Sequence, residues 1–345
     1  MSQQGQPRPV TSSGPQAAKA DLSPRLLYEE PGWIELARDA VVVSGVDAES
    51  YLQGQLSQDV AALATGAAAT SLLLSPQGKV DAVVRVVRLD EERFVVDVDA
   101  GFGPAVIERL LRFKIRVRAD VVAVTPGSWR CIALRGTGAH RAAGLGGDGG
   151  ARPPAETAPA RPGEGGELVD HLVVANDWPG LEGVDILGAA PRVPVGPGRV
   201  EPAAFEARRV EAGIARMGAE IDARTIPAEA GLVDLAVSFT KGCYTGQELV
   251  ARIDSRGGNV ARHLRGLVVT ATGGSRAPEV ADGIFLGDRQ VGEVTSVATS
   301  IRLGACVGLA YVHRSVAPPA TVTVRPTGAT EPGSEAEVRT LPLIP

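Results

Sequence analysis

The sequence predicts an α+β fold in which helices flank antiparallel sheets and a small β-barrel follows at the C-terminal end. Strand-like segments at residues 71–74, 80–89 and 94–98 follow one another directly, and a helix that opens at Pro104 comes after them. This order is typical of α+β proteins rather than of doubly wound α/β proteins. Residues 264–345 contain short strands separated by Gly, Pro, Asp and Ser with little helical periodicity, which predicts the barrel.

Two further helices are predicted from capping residues and apolar spacing. Asp47 is a suitable N-cap for a helix that carries Tyr51 and Leu52. The clearest helical pattern begins at Pro202, and its apolar stripe continues at helical spacing through Met217. Gly218 comes directly after this stripe and is predicted to end the helix.

Composition divides the chain into three parts. Residues 1–25 are polar and rich in Gln, Pro and Ser, which predicts a disordered tail. Residues 26–258 are predicted to form the α+β part of the chain, interrupted by a flexible Gly- and Pro-rich insertion at 136–166. The Gly-Gly-Asn turn at 257–259 predicts a boundary, so that residues 259–345 form the barrel domain.

Charge and cysteine content exclude several classes of protein. A net charge of −5 argues against a protein whose whole surface binds nucleic acid, and direct nucleic-acid binding is not expected. Three widely spaced cysteines form neither a disulfide framework nor a C-x-x-C metal site, which favours a reducing, cytoplasmic location. The N-terminus lacks the apolar core of a secretory signal, and no apolar run is long enough to cross a membrane.

Cys243 is the first candidate for chemistry. It follows Lys241 and Gly242 and precedes a predicted helix that contains Leu249 and Val250. A thiol beside a lysine and near a helix N-terminus favours its thiolate form, which is the nucleophile. The alternative is a small buried cysteine in a tight turn, and the chemistry of the residues alone favours that alternative.

Glu211 is the second candidate. It lies on the edge of the apolar stripe of the long helix, where a carboxylate could reach a cavity and accept hydrogen bonds from a heterocycle with N–H groups. The alternative is an exposed pair with Arg208 three residues earlier on the same helix.

Two basic clusters could attract an anion. Residues 112–118 (RFKIRVR) alternate basic and apolar side chains, which predicts a strand with one positive face. That face could meet a polyanion or be the solvated outside of a sheet. The second cluster frames the turn at 257–259 and suits carboxylate capture through bidentate arginine geometry. Its members are Arg252, Arg256, Arg262, His263 and Arg265.

Several segments together resemble the YgfZ family of folate-binding proteins, which is related to the aminomethyltransferase (T-protein) of glycine cleavage and to mitochondrial iron–sulfur assembly factors. The most specific is KGCYTGQE at 241–248. The others are YLQGQLSQDV at 51–60, SPQGK at 75–79, RVEAG at 209–213, IPAE at 226–229 and VGEVTS at 291–296.

The resemblance implies a T-protein-like arrangement around a central hole that holds tetrahydrofolate or a one-carbon derivative. It further implies that residues 26–258 are the folate-binding region and consist of two interleaved α+β subdomains. By this resemblance Glu211 contacts the pterin and Arg252 is a further folate contact. Lys241 and Cys243 match residues of the family signature required for function. The family is linked to iron–sulfur proteins or their assembly machinery and, through them, to tRNA modification.

One departure separates this sequence from T-proteins, which carry an Asp-Asp pair after the glycine turn. Here residues 78–83 (GKVDAV) offer Asp81 alone, displaced in register. We therefore expect an accessory protein for iron–sulfur cluster assembly or repair with a reactive Cys243. Two alternatives stay open, namely a folate-dependent one-carbon transferase such as an aminomethyltransferase, and an RNA-associated factor.

Overall fold

The computed structural model describes residues 26–145, 168–270, 276–328 and 333–345. The predicted tail and most of the predicted insertion lie outside the described residues. The described chain forms two five-stranded sheets, one closed six-stranded barrel and short helices. The predicted α+β class and the predicted C-terminal barrel are therefore confirmed.

The strands and helices have the following bounds. The strands are β1 (Gly32–Leu36), β2 (Arg38–Ser44), β3 (Ala68–Leu74), β4 (Val80–Arg88), β5 (Arg93–Asp99), β6 (Asp120–Ala123), β7 (Arg130–Arg135), β8 (Leu172–Ala175), β9 (Gly183–Gly188), β10 (Gly198–Arg199), β11 (Arg262–Val269), β12 (Gly283–Leu286), β13 (Arg289–Ser300), β14 (Ala305–His313), β15 (Ala320–Arg325) and β16 (Ser334–Arg339). The helices are α1 (Ala48–Gln55), α2 (Gly103–Arg112), α3 (Ala139–Ala142), α4 (Pro202–Ala212), α5 (Val233–Ala236) and α6 (Gln247–Asp254).

The two sheets are interleaved along the chain. The first sheet has the order β10-β1-β7-β9-β8 and the second has the order β3-β4-β5-β2-β6. Their pairings are antiparallel apart from the parallel contact of β1 with β10. Because β1 belongs to the first sheet and β2 to the second, the chain passes from one sheet to the other within a few residues of its first strand.

A buried network of ion pairs joins the two sheets. Arg85 of β4 donates hydrogen bonds to Asp185 of β9 at 2.5 Å and to Asp97 of β5 at 3.0 Å. Burial alone would raise the pKa of Asp185, but Arg135 and Arg85 hold it well below its usual range. Because buried charges are costly unless they are paired, these ion pairs hold β4 of one sheet against β9 of the other.

The barrel has the strand order β11-β14-β13-β12-β15-β16 and closes where β11 pairs with β16. Its interior holds small aliphatic side chains, among them Ile284, Val294, Val312 and Val338. This composition agrees with the scarcity of aromatic residues in the sequence, at 4%. Helix α4 packs against β13 and β14, which places the helix that carries Glu211 against the barrel.

Two predictions about secondary structure are wrong. Helix α4 ends at Ala212 rather than near Gly218, because Gly213 adopts a left-handed conformation with φ of 78°. The N–H of Ile214 then donates to the carbonyl of Arg209, the bond that terminates a helix in the Schellman motif.

The second wrong prediction is the basic strand at 112–118. Arg112 is the last residue of α2, and the chain then continues without regular structure to β6. Arg116 has a φ of 57°, which breaks the extended backbone that strict alternation of side chains requires. The positive charges of this segment therefore do not form one face of a sheet.

Candidate functional site

The loop between α5 and α6 carries Lys241 and Cys243, and it is tied at both ends to the chain around the end of α1. The N–H of Ser238 donates to the carbonyl of Ser57 at 3.0 Å, and the N–H of Thr245 donates to the carbonyl of Gly54 at 3.1 Å. The motif segment 241–248 therefore lies directly on the segment 51–60.

Lys241 forms the strongest connection between these two segments. Its ammonium donates to the carbonyl oxygens of Gln53 and Leu56, each at 2.6 Å, and of Gln58 at 2.9 Å. A lysine ammonium has three N–H donors, so all three are used on backbone carbonyls. Burial lowers the pKa of Lys241 to about 8, and the nearby charge of Asp59 opposes this shift. Through these contacts Lys241 holds the loop against the segment 51–60.

Two glycines bring the β3–β4 turn against the start of α6. A β-carbon on Gly246 would lie 2.5 Å from the carbonyl oxygen of Ser75, and one on Gly78 would lie 2.5 Å from the β-carbon of Leu249. Both glycines have positive φ, 83° at Gly246 and 74° at Gly78. The segment 75–79 thus packs against the motif through backbone atoms. Only glycine at positions 78 and 246 permits this close approach.

Cys243 lies at the exposed part of this loop. Its side chain is exposed, as is the neighbouring Gly242, whereas Cys131 is buried and Cys306 is partly buried. The alternative of a small buried cysteine in a tight turn is therefore wrong. A loop that is fixed on both sides and exposed at its thiol can present that thiol to a partner or a reagent.

Glu211 belongs to a different cluster, in which its own side chain is completely buried. Its relative exposure is 0%, and its carboxylate accepts hydrogen bonds from the hydroxyl of Tyr28 at 2.9 Å and from Arg208 at 2.5 Å. The pair with Arg208 expected from the sequence is present, but it is buried rather than exposed, because Arg208 is only 3% exposed. A ligand that binds this carboxylate has to compete with Tyr28.

Arg252 is exposed on α6, the helix that follows the Cys243 loop. The structure thus places Arg252, Lys241 and Cys243 in one continuous loop and helix, and it gives Glu211 a separate set of contacts. A cavity of about 300 Å³ lies beside the end of α6 and is lined by Val250, Ile253 and the glycines of the turn at 257–258.

Asp81 is the extra residue of a β-bulge between β3 and β4. Leu73 pairs with Ala82 and Leu74 pairs with Val80, so Asp81 has no partner opposite it. Its carboxylate lies 3.2 Å from Nε of Arg109. The bulge directs this aspartate to a pairing with Arg109.

Sequence reasoning missed the residues that hold these sites together. Tyr28 follows the predicted tail and has no motif around it, so nothing in the sequence connects it to Glu211. Gly78 and Gly246 stand inside recognised segments, where their spacing gave no sign that they meet. Arg209 was also missed, although it links α4 to the barrel through Glu220 at 2.9 Å and Ser296 at 2.6 Å.

Two further findings concern metal binding and membrane crossing. Within the described residues, no group of three His, Cys, Asp or Glu side chains is arranged to hold a metal ion. The helices of the described chain include none with the length and apolar character that a membrane crossing requires.

Comparison with known proteins shows a T-protein-like chain. Residues 262–343 match the glycine cleavage T-protein C-terminal barrel domain. The solved structure of the glycine cleavage system aminomethyltransferase T from Bartonella henselae superimposes with a TM-score of 0.72 at 22% identity, covering 92% of this chain and 87% of that one. This likeness establishes the fold and explains why the barrel follows two interleaved sheets.

Curated relatives extend the similarity over most of the sequence. An uncharacterized protein of Haemophilus influenzae is 27% identical over 258 residues, which cover 74% of this chain and 80% of the relative. An aminomethyltransferase of Bordetella petrii is 29% identical over 324 residues, which cover 88% of this chain and 82% of the relative. The chain is therefore similar to T-proteins both in its barrel domain and along most of its length.

Proposed function

We propose that this chain is a YgfZ-like protein that binds a reduced folate and supports the assembly or repair of iron–sulfur proteins in the cytoplasm, with Cys243 as its reactive thiol. The observation that carries the proposal is the presentation of Cys243. In the motif KGCYTGQE, Lys241 donates hydrogen bonds to three backbone carbonyls, and Gly246 makes a close backbone contact. Cys243 stays exposed between them. The motif is thus built to hold this thiol in a defined place.

The T-protein-like fold supports the folate part of the proposal. Relatives named aminomethyltransferase and the T-protein barrel domain connect this fold with one-carbon chemistry. Glu211 supplies a buried carboxylate, and carboxylates pair well with the adjacent N–H groups of an aminopyrimidinone ring, as in a pterin. Arg252 supplies an exposed cation for the carboxylates of the folate tail.

The link to iron–sulfur proteins, and through them to tRNA modification, rests on the resemblance of the motif to the YgfZ signature. A test in cells uses Cys243→Ala, scored by the activity of an iron–sulfur enzyme that depends on the protein. Cys306→Ala is the matched control, because it removes a thiol that is partly buried in the barrel. We expect loss of activity with Cys243→Ala and none with the control; normal activity with both would refute the role of the thiol.

The folate site has its own test. Purified protein is titrated with 5-formyltetrahydrofolate, and the titration is repeated with Glu211→Gln, which keeps the volume of the side chain and removes its charge. We expect the affinity to fall at least about tenfold, since a charge-assisted pair becomes a neutral one. Equal affinity would place the folate elsewhere. Arg252→Ala is expected to weaken binding less, because an exposed ion pair contributes little.

A folate-dependent one-carbon transferase, such as an aminomethyltransferase, is the second candidate. The names of the relatives favour it, whereas the pairing of Asp81 with Arg109 opposes it, because that carboxylate is engaged by a guanidinium. Turnover of methylenetetrahydrofolate with an aminomethyl acceptor would support the transferase. No turnover at high protein concentration, together with folate binding, would leave the accessory role.

A further inference from the structure

Tyr28 lies over Glu211 in a way that resembles a bound ligand. Its hydroxyl is 2.9 and 3.1 Å from the two carboxylate oxygens of Glu211. The centre of its ring is 4.4 Å from the guanidinium carbon of Arg208 and 6.0 Å from that of Arg302. A flat ring that donates a hydrogen bond is therefore held by one buried carboxylate and two cations.

The backbone that carries Tyr28 is held in an unfavourable conformation. Leu27 is 1% exposed and has a φ of 68°, a left-handed conformation that side chains other than glycine rarely adopt. Its N–H donates to the carbonyl of Glu30 at 3.0 Å, which closes a tight turn. Strain of this kind persists only where surrounding contacts hold it, and it is common at ligand clamps and switch regions.

A cavity next to the ring gives Tyr28 a place to move. The cavity has a volume of about 390 Å³, and Tyr28 itself lines it. Its other walls include the small side chains of Ala203, Ala204 and Ala207 on α4 and residues 297–299 of β13. Ala207 and Glu211 are four residues apart and so share one face of α4. The cavity therefore lies along the side of the helix that carries the carboxylate, and Tyr28 stands between the two.

We propose that Tyr28 is a replaceable cover of the Glu211 site, and that a ligand head takes the place of the ring while the ring moves into the adjoining cavity. This inference rests on the proposed folate function, because the head of a reduced folate is a largely planar heterocycle with adjacent N–H donors. Such a head would use the same carboxylate oxygens and the same two guanidinium groups as the phenol. Tyr28 and the ligand then compete for one site, and each bond that the phenol makes lowers the affinity for the ligand.

The test is a calorimetric titration of the full chain with 5-formyltetrahydrofolate, combined with thermal unfolding. Tyr28→Phe removes the hydroxyl that competes for Glu211, so we expect binding to become about two- to tenfold tighter although the Tm falls. Tyr51→Phe is the matched control, since its buried hydroxyl donates to the carbonyl of Leu110 and not to Glu211. The control is expected to lower the Tm without changing the affinity.

A second variant tests the cavity. Ala204→Leu keeps a good helix former on α4 and fills part of the space beside Tyr28. We expect it to weaken binding several-fold, because the ring loses the place into which it moves.

The outcomes separate this inference from the folate proposal. One outcome refutes the cover alone: the wild type binds the folate and Glu211→Gln does not, but Tyr28→Phe binds no more tightly than the wild type. Tyr28 is then a fixed part of the site or a contact of the ligand. If neither the wild type nor any variant binds the folate, the proposed function fails and the cover fails with it.

Discussion

The backbone of Gly246 packs against that of Gly78, so closely that a β-carbon on Gly246 would lie 3.2 Å from the α-carbon of Gly78. This contact joins the turn between β3 and β4 to the start of α6. With the bonds from Lys241 to the carbonyls of Gln53, Leu56 and Gln58, it fixes the loop that presents Cys243. The arrangement leads to the following predictions.

Gly246→Ala is expected to destabilise the fold by about 1–3 kcal/mol, because the new side chain would need a left-handed backbone and would meet the carbonyl of Ser75. The measurement is the free energy of unfolding by denaturant. Gly242→Ala is the control within the same motif, since a β-carbon there meets no described atom within 4 Å. We expect the control to change stability by less than about 0.5 kcal/mol. Equal effects of the two variants would contradict the packing.

Lys241→Met is expected to lower the free energy of unfolding by about 1–3 kcal/mol. Three backbone carbonyls lose their donor, whereas methionine keeps an unbranched apolar side chain in place of the lysine methylenes. Lys114→Met serves as the control, because Lys114 lies in the irregular segment after α2. If Lys241→Met does not lose stability, Lys241 does not hold the loop, whatever the result for Lys114→Met.

The stability that depends on Lys241 is expected to change with pH. Burial lowers the pKa of Lys241 from 10.5 to about 8, so between these values the unfolded chain holds a proton that the folded chain has released. Stability therefore rises with pH across this window. We expect the unfolding free energy of the wild type, relative to that of Lys241→Met, to increase between pH 8 and 10.5. A flat difference would mean that the pKa is not lowered.

The three cysteines are expected to differ in their reaction with a disulfide reagent under native conditions. Cys243 is exposed, whereas burial raises the pKa of Cys131 to about 12 and also raises the pKa of Cys306. Because the thiolate is the reacting form, one thiol should react fast in the wild type. Cys243→Ser should abolish the fast phase and Cys306→Ser should retain it. The reverse pattern would show that the loop conceals Cys243.

Arg208→Met is expected to destabilise the fold by about 3–5 kcal/mol, because it leaves the carboxylate of Glu211 buried without its cation. The double variant with Glu211→Gln should recover much of this loss, since the uncompensated charge is then gone. A double-mutant cycle by denaturant unfolding measures the recovery. Additive losses in the cycle would indicate that the two side chains do not form a coupled pair.

Local patterns predicted much of the fold. The predicted strands at 80–89 and 94–98 correspond to β4 and β5. The errors arose where one residue overrides a pattern. Gly213 ends α4 although the apolar stripe continues, and Arg116 breaks the alternation at 112–118.

The sequence by itself determined the class of fold, the C-terminal barrel and the motif that contains Lys241 and Cys243, since these depend on spacing within short segments. Only the tertiary structure decided what the residues of that motif do. It brought the segments 51–60 and 75–79 onto the motif, and it buried Glu211 under Tyr28, which lies 183 positions earlier in the chain. Contacts over such separations leave no local pattern, because they depend on the path of the whole chain. The exposure of Cys243 follows from those contacts, because Lys241 and Gly246 make them and Cys243 does not.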